Sequence, residues 1–489
     1  MHNIVVISIE GLDYNFLQDN LGELPNINKL QSEGVYGKIN HKTVPNEPVA
    51  WGTILTGQNP GEFGFWNHYY RDSFKYILSQ ETNLNSLQIE TLNSYLPKNG
   101  KVAAFINIPL LSQAPVVHGG FSISKSIVEN FINTWPTDLI NELYEKIDSI
   151  KDFKKIKKHF SSLDAEEKLK FEISSDNLIF DILEYIIKNK NSDCILSYIN
   201  GSLKIHKFYY DLNKKEQNRE KINVRLNNSL KKYFGFIDKR VGKISEVLNE
   251  YDSLLIFSPY SLLQPSEFIN LNIWLMETGY LTLNKYSSKI DEFDEKTVDW
   301  KKTKAWSIGN CGHIYINLKG REKNGIVKKK DYYFIINEIV ESLKNEKFFK
   351  NHKINVEAIL REDVFYGDKE CFGPDIFVSF NSGEYKTNPS ISDKEIISQY
   401  VKQNVNSSYF PNQNNGYFLL KCPQSKYTGS LKNIGLLNLA PTILDILKVK
   451  IPYEMEQSIL NIINTIDIKR DKKDIEDKHI MSRLESLGY

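Results

Sequence analysis

The chain has 489 residues, of which 41% are hydrophobic and 12% aromatic, enough for a large core and an inserted or second domain. Its 62 Lys and Arg residues nearly cancel its 61 Asp and Glu residues, which argues against nucleic acid or an anionic membrane surface as a partner. The four cysteines are scattered, and no apolar stretch approaches the about 18 residues of a membrane span. We therefore expect an ordered globular protein without a structural zinc site.

A strand-like run begins almost at the first residue, over residues 3–8. No basic segment with a long apolar stretch precedes it, so we expect a cytoplasmic protein. Its apolar centre, residues 4–7, is followed by Glu10-Gly11, the pattern of a buried parallel strand that ends in a loop. In open α/β sheets, sites form at the carboxyl ends of such strands.

Two helices are predicted next. The first begins at Leu24 and stops near Gly34. The second follows a strand-to-helix turn, because Pro48 suits the first position of a helix, where its missing N–H costs nothing. Asn46 and Glu47 then lie at a helix start, where free backbone donors favour an anion. A phosphate-handling enzyme would need a hydroxyl nucleophile at this position, but the chain has an acid there.

Further candidate strands lie at residues 102–106, 194–199 and 253–257. All are short and apolar, and helical stretches separate them. This alternation predicts an α/β fold with a doubly wound, largely parallel central sheet that is flanked by helices on both faces.

The same patterns divide the chain into four segments. We assign residues 1–135 and 251–464 to the N-terminal and C-terminal parts of the α/β core. Residues 136–250 are predicted to be a mostly helical cap or insert with one core strand near 194–199, because they are rich in Lys and Glu at helical spacing. Residues 465–489 are highly charged and are predicted to form a tail helix.

Different short motifs are spread along the whole chain: residues 9–13 (IEGLD), 24–26 (LPN), 34–37 (GVYG), 48–51 (PVAW), 56–61 (TGQNPG), 106–109 (INIP), 272–275 (NIWL), 279–281 (GYL), 303–306 (TKAW), 314–322 (IYINLKGRE), 373–376 (GPDI), 439–444 (LAPTIL) and 483–489 (RLESLGY). Each is weak alone. In this order they resemble the type I phosphodiesterase/nucleotide pyrophosphatase group of the alkaline phosphatase superfamily. The resemblance implies an alkaline phosphatase-like fold with a helical cap insertion.

The resemblance also implies a binuclear metal centre. In that family two divalent ions such as zinc activate a Thr or Ser nucleophile at a helix start and stabilise the leaving group. At the matching positions this chain differs, because the first-strand Asp corresponds to Glu10 and the nucleophile corresponds to Glu47, with Asn46 one position away. The family's Asp-x-x-x-His element corresponds to Ser202 through His206, so its His remains and its Asp does not.

The other ligand positions differ as well. The Ser-Asp-His-Gly element corresponds to residues 258–261, which place Tyr260 at the His position, and the late His corresponds to Asn412, or to Tyr409 if the loop length differs. Only His206, and Glu10 by chemical similarity, remain as ligands, whereas a zinc site needs about three or four. We therefore predict no metal site and no cofactor. A replacement site that uses His41 or His68 beside one of the glutamates remains an alternative.

Three functions stay open, in this order. The first is a pseudoenzyme that binds a small molecule or a protein partner. The second is a metal-free enzyme in which Glu10, Glu47 and His206 carry out acid–base or transfer chemistry. The third is a metal-dependent phosphodiesterase with a rearranged site. The predicted catalytic residues are Glu47, Glu10 and His206, and the predicted binding residues are Asn46, Trp51, Tyr260, Asn412 and Ser202. Since aromatic side chains more often fill a core, a packing role for Trp51 is the favoured alternative.

Overall fold

The computed structural model describes residues 4–465, with gaps at 72, 79, 84–86, 88, 112, 127–130, 156–162, 217, 264, 266, 285–292, 392–394, 399–410 and 413. Its strands are β1 (Ile4–Ile9), β2 (Val35–Ile39), β3 (Tyr69–Tyr70), β4 (Gln80–Glu81), β5 (Ala103–Ile106), β6 (Phe121–Ser126), β7 (Phe131–Trp135), β8 (Cys194–Ile199), β9 (Ser253–Ser258), β10 (Ser261–Leu262), β11 (Phe268–Asn270), β12 (Ala305–Ser307), β13 (His313–Ile316), β14 (Val356–Leu360), β15 (Ile376–Phe380), β16 (Lys386–Asn388), β17 (Ile397–Ser398), β18 (Pro411–Asn412), β19 (Gly416–Lys421) and β20 (Gly429–Ile434).

The α-helices lie between these strands and beyond them. They are α1 (Tyr14–Asp19), α2 (Pro25–Glu33), α3 (Glu47–Thr56), α4 (Pro60–Phe63), α5 (Leu92–Lys98), α6 (Leu139–Lys146), α7 (Asp148–Lys155), α8 (Ala165–Asn189), α9 (Gly201–Glu216), α10 (Arg219–Val247), α11 (Leu271–Glu277), α12 (Tyr332–Asn345), α13 (Lys347–Asn351) and α14 (Leu439–Ile446). None of the helices in the described ranges is both long and apolar enough to cross a membrane.

A nine-stranded central sheet organises the fold, with the order β20-β2-β19-β9-β1-β8-β5-β6-β7. Strand β1 lies near its middle and is parallel to β8 and β9, so that Ile4 is opposite both Cys194 and Ser253. The pairs β5/β8, β5/β6 and β2/β20 are also parallel, whereas β19 and β7 run antiparallel to their neighbours. The sheet is therefore mostly parallel, as the apolar runs predict.

Both faces of this sheet are covered, which explains why β1 is apolar throughout. Val5 and Ile7 belong to one apolar cluster, to which α2, α8 and α10 contribute. Ile4 and Val6 belong to a second cluster on the opposite face, to which α3 and α14 contribute. A strand whose alternate side chains enter two cores has no polar face. The predicted doubly wound α/β fold is confirmed.

The predicted helical segment forms much of one of these layers. Helix α8 begins at a capping box in which Asp164 accepts from the Glu167 backbone N–H while the Glu167 carboxylate accepts from that of Asp164. Between α8 and α9 the chain crosses the sheet as β8, which matches the strand predicted at 194–199. The segment boundaries stay predictions, and the predicted tail helix lies, except for residue 465, outside the described residues.

A smaller four-stranded sheet, in the order β12-β13-β15-β14, has its own apolar cluster with α11 and α12. Asp375 precedes β15 and accepts two hydrogen bonds from the Arg321 guanidinium, at 2.7 and 2.6 Å. It also accepts one from Arg361 at 2.9 Å and one from the Tyr332 hydroxyl at 2.6 Å. This buried network ties three segments of the smaller sheet together. The sequence patterns did not separate this sheet from the larger core.

Candidate functional site

The first strand ends at Glu10, whose side chain is fully buried. Its backbone N–H donates to the Ile199 carbonyl at 2.9 Å, and the Ser202 hydroxyl donates to its carbonyl. Gly11 then turns the chain with φ +69°, and a Cβ there would overlap the Leu262 side chain. Only glycine fits this turn without displacing its neighbours. Ser202, a predicted binding residue, is fully buried, and its hydroxyl bonds the backbone carbonyl of Glu10. Its observed contact therefore positions the backbone at the end of β1.

Helix α3 begins at Glu47, one residue before the predicted first position at Pro48, and Asn46 is its N-cap. The Asn46 side-chain oxygen accepts from the Val49 N–H at 3.2 Å, and its amide donates to the Trp66 carbonyl at 3.0 Å. Glu47 is the first helical residue and Pro48 follows it, where the missing N–H costs nothing. The cap fixes the direction in which Glu47 leaves the helix.

The two glutamates interact electrostatically, so the structure brings Glu10 and Glu47 together. Burial, and secondarily the charge of Glu47, raises the pKa of Glu10 to about 8. The hydroxyls of Tyr260 and Tyr198 lower it in part. Burial raises the pKa of the partly exposed Glu47 to about 7. At neutral pH the pair therefore retains at least part of a proton.

His206 lies on α9, one turn after Ser202. Burial lowers its pKa to about 4, so it is neutral at physiological pH. It is not among the groups that shift the pKa of either glutamate. The structure thus places His206 on the helix that touches the backbone of Glu10 without coupling it to the acid pair.

The remaining predicted residues surround the pair. Trp51 is fully buried and packs edge-on against Tyr198, with ring centroids 5.3 Å apart, so its observed role is to fill the core. Tyr260 is 1% exposed and covers Glu10. Asn412 lies in β18, opposite Ser261 in the β10–β18 pair, and its side chain lies outside the description. Tyr198 was missed by the sequence analysis, because it belongs to the apolar run of β8 and nothing local marks its hydroxyl.

The residues around the pair do not fit the two-metal centre that the resemblance implies. Within the described ranges, no group of three or more His, Cys, Asp or Glu side chains could hold a metal ion. Residues 399–410, which are not described, contain none of these residue types. The side chains that lower the pKa of Glu10 are Tyr260 and Tyr198, and a neutral phenol is a poor zinc ligand. We therefore derive no chemical step through a metal.

Two histidines that the sequence analysis offered for a replacement site lie in other environments. His41 has its Nε2 2.6 Å from the Pro259 carbonyl, and burial lowers its pKa to about 4. Burial also lowers the pKa of His68. Neither shifts the pKa of Glu10 or Glu47. The replacement site stays a prediction without support from these contacts.

A cavity of about 570 Å³ lies beside α3, and neither Glu10 nor Glu47 lines it. Its walls come from residues 40–46, 362–366 and 433–438, together with side chains of α3, β13 and β15. It was missed because these segments meet only in the folded chain.

These features define a class. A mostly parallel sheet with helices on both faces is the fold of an alkaline phosphatase-like α/β protein. The sequence profile described as type I phosphodiesterase / nucleotide pyrophosphatase matches residues 4–405. The chain belongs to this family.

Solved structures agree with the fold. Wild-type alkaline phosphatase PafA is similar with a TM-score of 0.52 and 11% identity, over 94% of this chain and 99% of that chain. Phosphonoacetate hydrolase from Sinorhizobium meliloti 1021, in complex with phosphonoacetate, has a TM-score of 0.53 and 11% identity, over 91% and 95%. Murine ectonucleotide pyrophosphatase / phosphodiesterase 5 has a TM-score of 0.49 and 11% identity, over 94% and 99%. At these identities the similarity to PafA and to phosphonoacetate hydrolase supports the fold alone. No curated protein matches the chain.

Proposed function

We propose that this chain is a member of the phosphodiesterase family that has lost two-metal hydrolysis and works as a binding protein for a small molecule or a protein partner. One observation carries the proposal: the fully buried Glu10 interacts electrostatically with the partly exposed Glu47. These positions correspond to a metal ligand and to the hydroxyl nucleophile of the family.

The electrostatics of the pair oppose phosphate binding. With two divalent ions, four positive charges would offset the substrate's negative charge. Here the pKa values of Glu10 and Glu47 are about 8 and 7, so the site is neutral or negative at physiological pH. A phosphodiester that approached would be repelled by whichever carboxylate is ionised. The site thus lies at the same place in the fold as the family's metal centre, but it disfavours an anionic ligand.

The test combines metal analysis with an assay. The full chain, dialysed with zinc or manganese, is expected to retain no pair of tightly bound ions and to show no turnover of bis(4-nitrophenyl) phosphate. Glu47→Ala provides the matched control, since it removes the residue at the nucleophile position. Two retained ions per chain, together with turnover that a chelator abolishes, would refute the proposal.

A second candidate function is metal-free acid–base chemistry by the same pair. It is favoured by pKa values of about 7 and 8, near the pH at which a general acid or base works best. Glu47 is partly exposed and is the member that a substrate could reach. If this function holds, Glu47→Gln abolishes the protein's biological output and His206→Ala does not, because His206 is not coupled to the pair. An output that survives both substitutions excludes catalysis by these residues.

A further inference from the structure

The cavity beside α3 and the acid pair lie along different faces of that helix. Asn46, Val49 and Thr53 line the cavity, and their spacing of three and four residues places them on one helical face. Glu47 and Trp51, also four residues apart, lie along another face, where Trp51 contacts Tyr198. The volume of about 570 Å³ falls in the range of small-molecule sites.

The inner wall of this cavity is aromatic. Trp66 and Phe365 meet edge to face with centroids 4.9 Å apart, and Phe365 and Phe377 are 5.0 Å apart. His313 packs edge-on against Phe377 at 5.2 Å. Flat rings of this kind bind apolar or aromatic bodies and attract cations through their faces.

Two ring nitrogens in this wall have no hydrogen-bond partner within the ranges that the structure describes. They are Nε1 of Trp66, on a side chain 2% exposed, and Nδ1 of His313, on a side chain 1% exposed. Buried polar atoms in native proteins are nearly always paired with protein, water or ligand. The Trp66 indole N–H can only donate, and because this atom has almost no accessible surface it does not contact a ligand in the cavity.

The charges around the cavity exclude an anionic ligand. Lys42 is the single Lys or Arg among the lining residues, whereas Glu362, Asp363 and Glu456 are all exposed lining residues. His313 adds no charge, because burial lowers its pKa to about 3. The lining is therefore net acidic, which attracts a cation and repels a phosphate ester.

We propose that this cavity binds a small organic cation: a protonated amine on an apolar or aromatic body. The amine faces the exposed carboxylates and the body contacts the aromatic wall. This inference goes beyond the proposed function, because it holds whether or not the acid pair has any chemistry.

The first test uses two probes with the same phenol body and opposite charge. Tyramine carries the ammonium group, and 4-hydroxyphenylacetate carries a carboxylate in its place. Titrated into the full chain up to about 10 mM and followed by ligand-observed NMR, tyramine is expected to bind at least about tenfold more tightly.

Two variants place the binding in this cavity. Leu437 is half-buried in its wall, so Leu437→Trp fills part of the space and is expected to weaken tyramine binding about tenfold. Ile451→Trp is the matched control, since Ile451 is half-buried in a separate groove of about 430 Å³ and its substitution leaves binding unchanged. Glu456→Lys replaces an acidic lining residue with a basic one, so it is expected to reduce the ratio of tyramine affinity to 4-hydroxyphenylacetate affinity. Far-UV circular dichroism confirms that each variant is folded.

Three results would overturn the inference: no tyramine binding at the highest concentration, equal or tighter binding of 4-hydroxyphenylacetate, or tyramine binding that a folded Leu437→Trp protein retains in full. None depends on metal content or phosphodiester turnover. Failure here is therefore distinguishable from failure of the proposed function.

Discussion

Two buried carboxylates in this protein have opposite pKa shifts. Asp375 is 1% exposed in the smaller sheet and Glu10 is 0% exposed at the end of β1, so burial opposes ionisation of both. At Asp375 burial is outweighed by Arg321 and then Arg361, which bring its pKa to about 2. At Glu10 burial is reinforced by Glu47, and the pKa rises to about 8. The partners, and not burial itself, decide which acid is a structural anion and which one titrates.

Removing the charge of Asp375 should have the largest effect. Asp375→Asn leaves Arg321 and Arg361 without their main anionic partner, and breaking a buried ion pair from one side costs about 3–5 kcal/mol. We expect a loss of this size in the free energy of unfolding, measured by urea denaturation at pH 7. A loss below about 1 kcal/mol would show that other groups satisfy the two guanidinium groups. Asp375 would then not be a structural anion, in contrast to what we infer above.

The same type of change at Glu10 should act in the opposite direction. Because the pKa of Glu10 is raised from 4.5 to about 8, its contribution to stability is complete below pH 4.5 and is lost as the pH rises towards 8. Glu10→Gln removes the cost of ionisation, so we expect little change at pH 4 and a clear gain at pH 9, with an upper limit of about 1.4 kcal/mol for each unit of the pKa shift. Urea denaturation across this pH range measures it. An equal effect at both pH values would contradict the raised pKa.

Glu47→Gln separates the two causes of the Glu10 shift. It removes the like charge but not the burial, so the pKa of Glu10 should fall and still remain above 4.5. We expect a decrease of about one unit in an NMR titration of ¹³C-labelled glutamate. Glu62→Gln is the matched control, because Glu62 also lies in the first turn of a helix capped by Asn, and it should leave Glu10 unchanged. An unchanged Glu10 in Glu47→Gln would mean that burial alone sets its pKa.

The cap of α3 should have the smallest effect. Asn46→Ala removes the bond to the Val49 N–H, and the loss of an N-cap costs about 1 kcal/mol of stability. Asn59→Ala removes the equivalent cap of α4 and is the matched control. Both should lower the urea midpoint, but Asn46→Ala alone should change the titration of Glu47. If both variants leave that titration unaltered, the cap does not orient the acid.

Much of the central fold could be predicted because its signals are local. The strands predicted at 194–199 and 253–257 match β8 and β9, since a parallel strand buried on both faces is a short, continuous apolar run. The start of α3 was also predictable, because Asn46 and Pro48 act within a few residues of themselves. The prediction that Glu10 and Glu47 lie close together required the family resemblance, because only the resemblance implies that these two segments face each other.

The rest of the site depends on contacts between distant segments. Tyr198 reads as one more member of an apolar strand, and only the folded chain places its hydroxyl near Glu10. His206 matches a family ligand in sequence, yet its position on α9 leaves it uncoupled from the pair. The cavity is formed by loops that are hundreds of residues apart, so no local pattern could announce it.

Helix α3 also determines which changes this protein can accumulate independently. Substitutions at Val49 or Thr53 alter the cavity without reaching the glutamates, and substitutions at Trp51 disturb the strand side without reshaping the cavity. Asn46 is the exception, since it lines the cavity and also sets the start of the helix that carries Glu47. Substitutions that adapt the cavity to a new ligand can therefore occur at most positions of α3 without affecting Glu10 and Glu47. A substitution at Asn46 is expected to affect both the cavity and the acid pair.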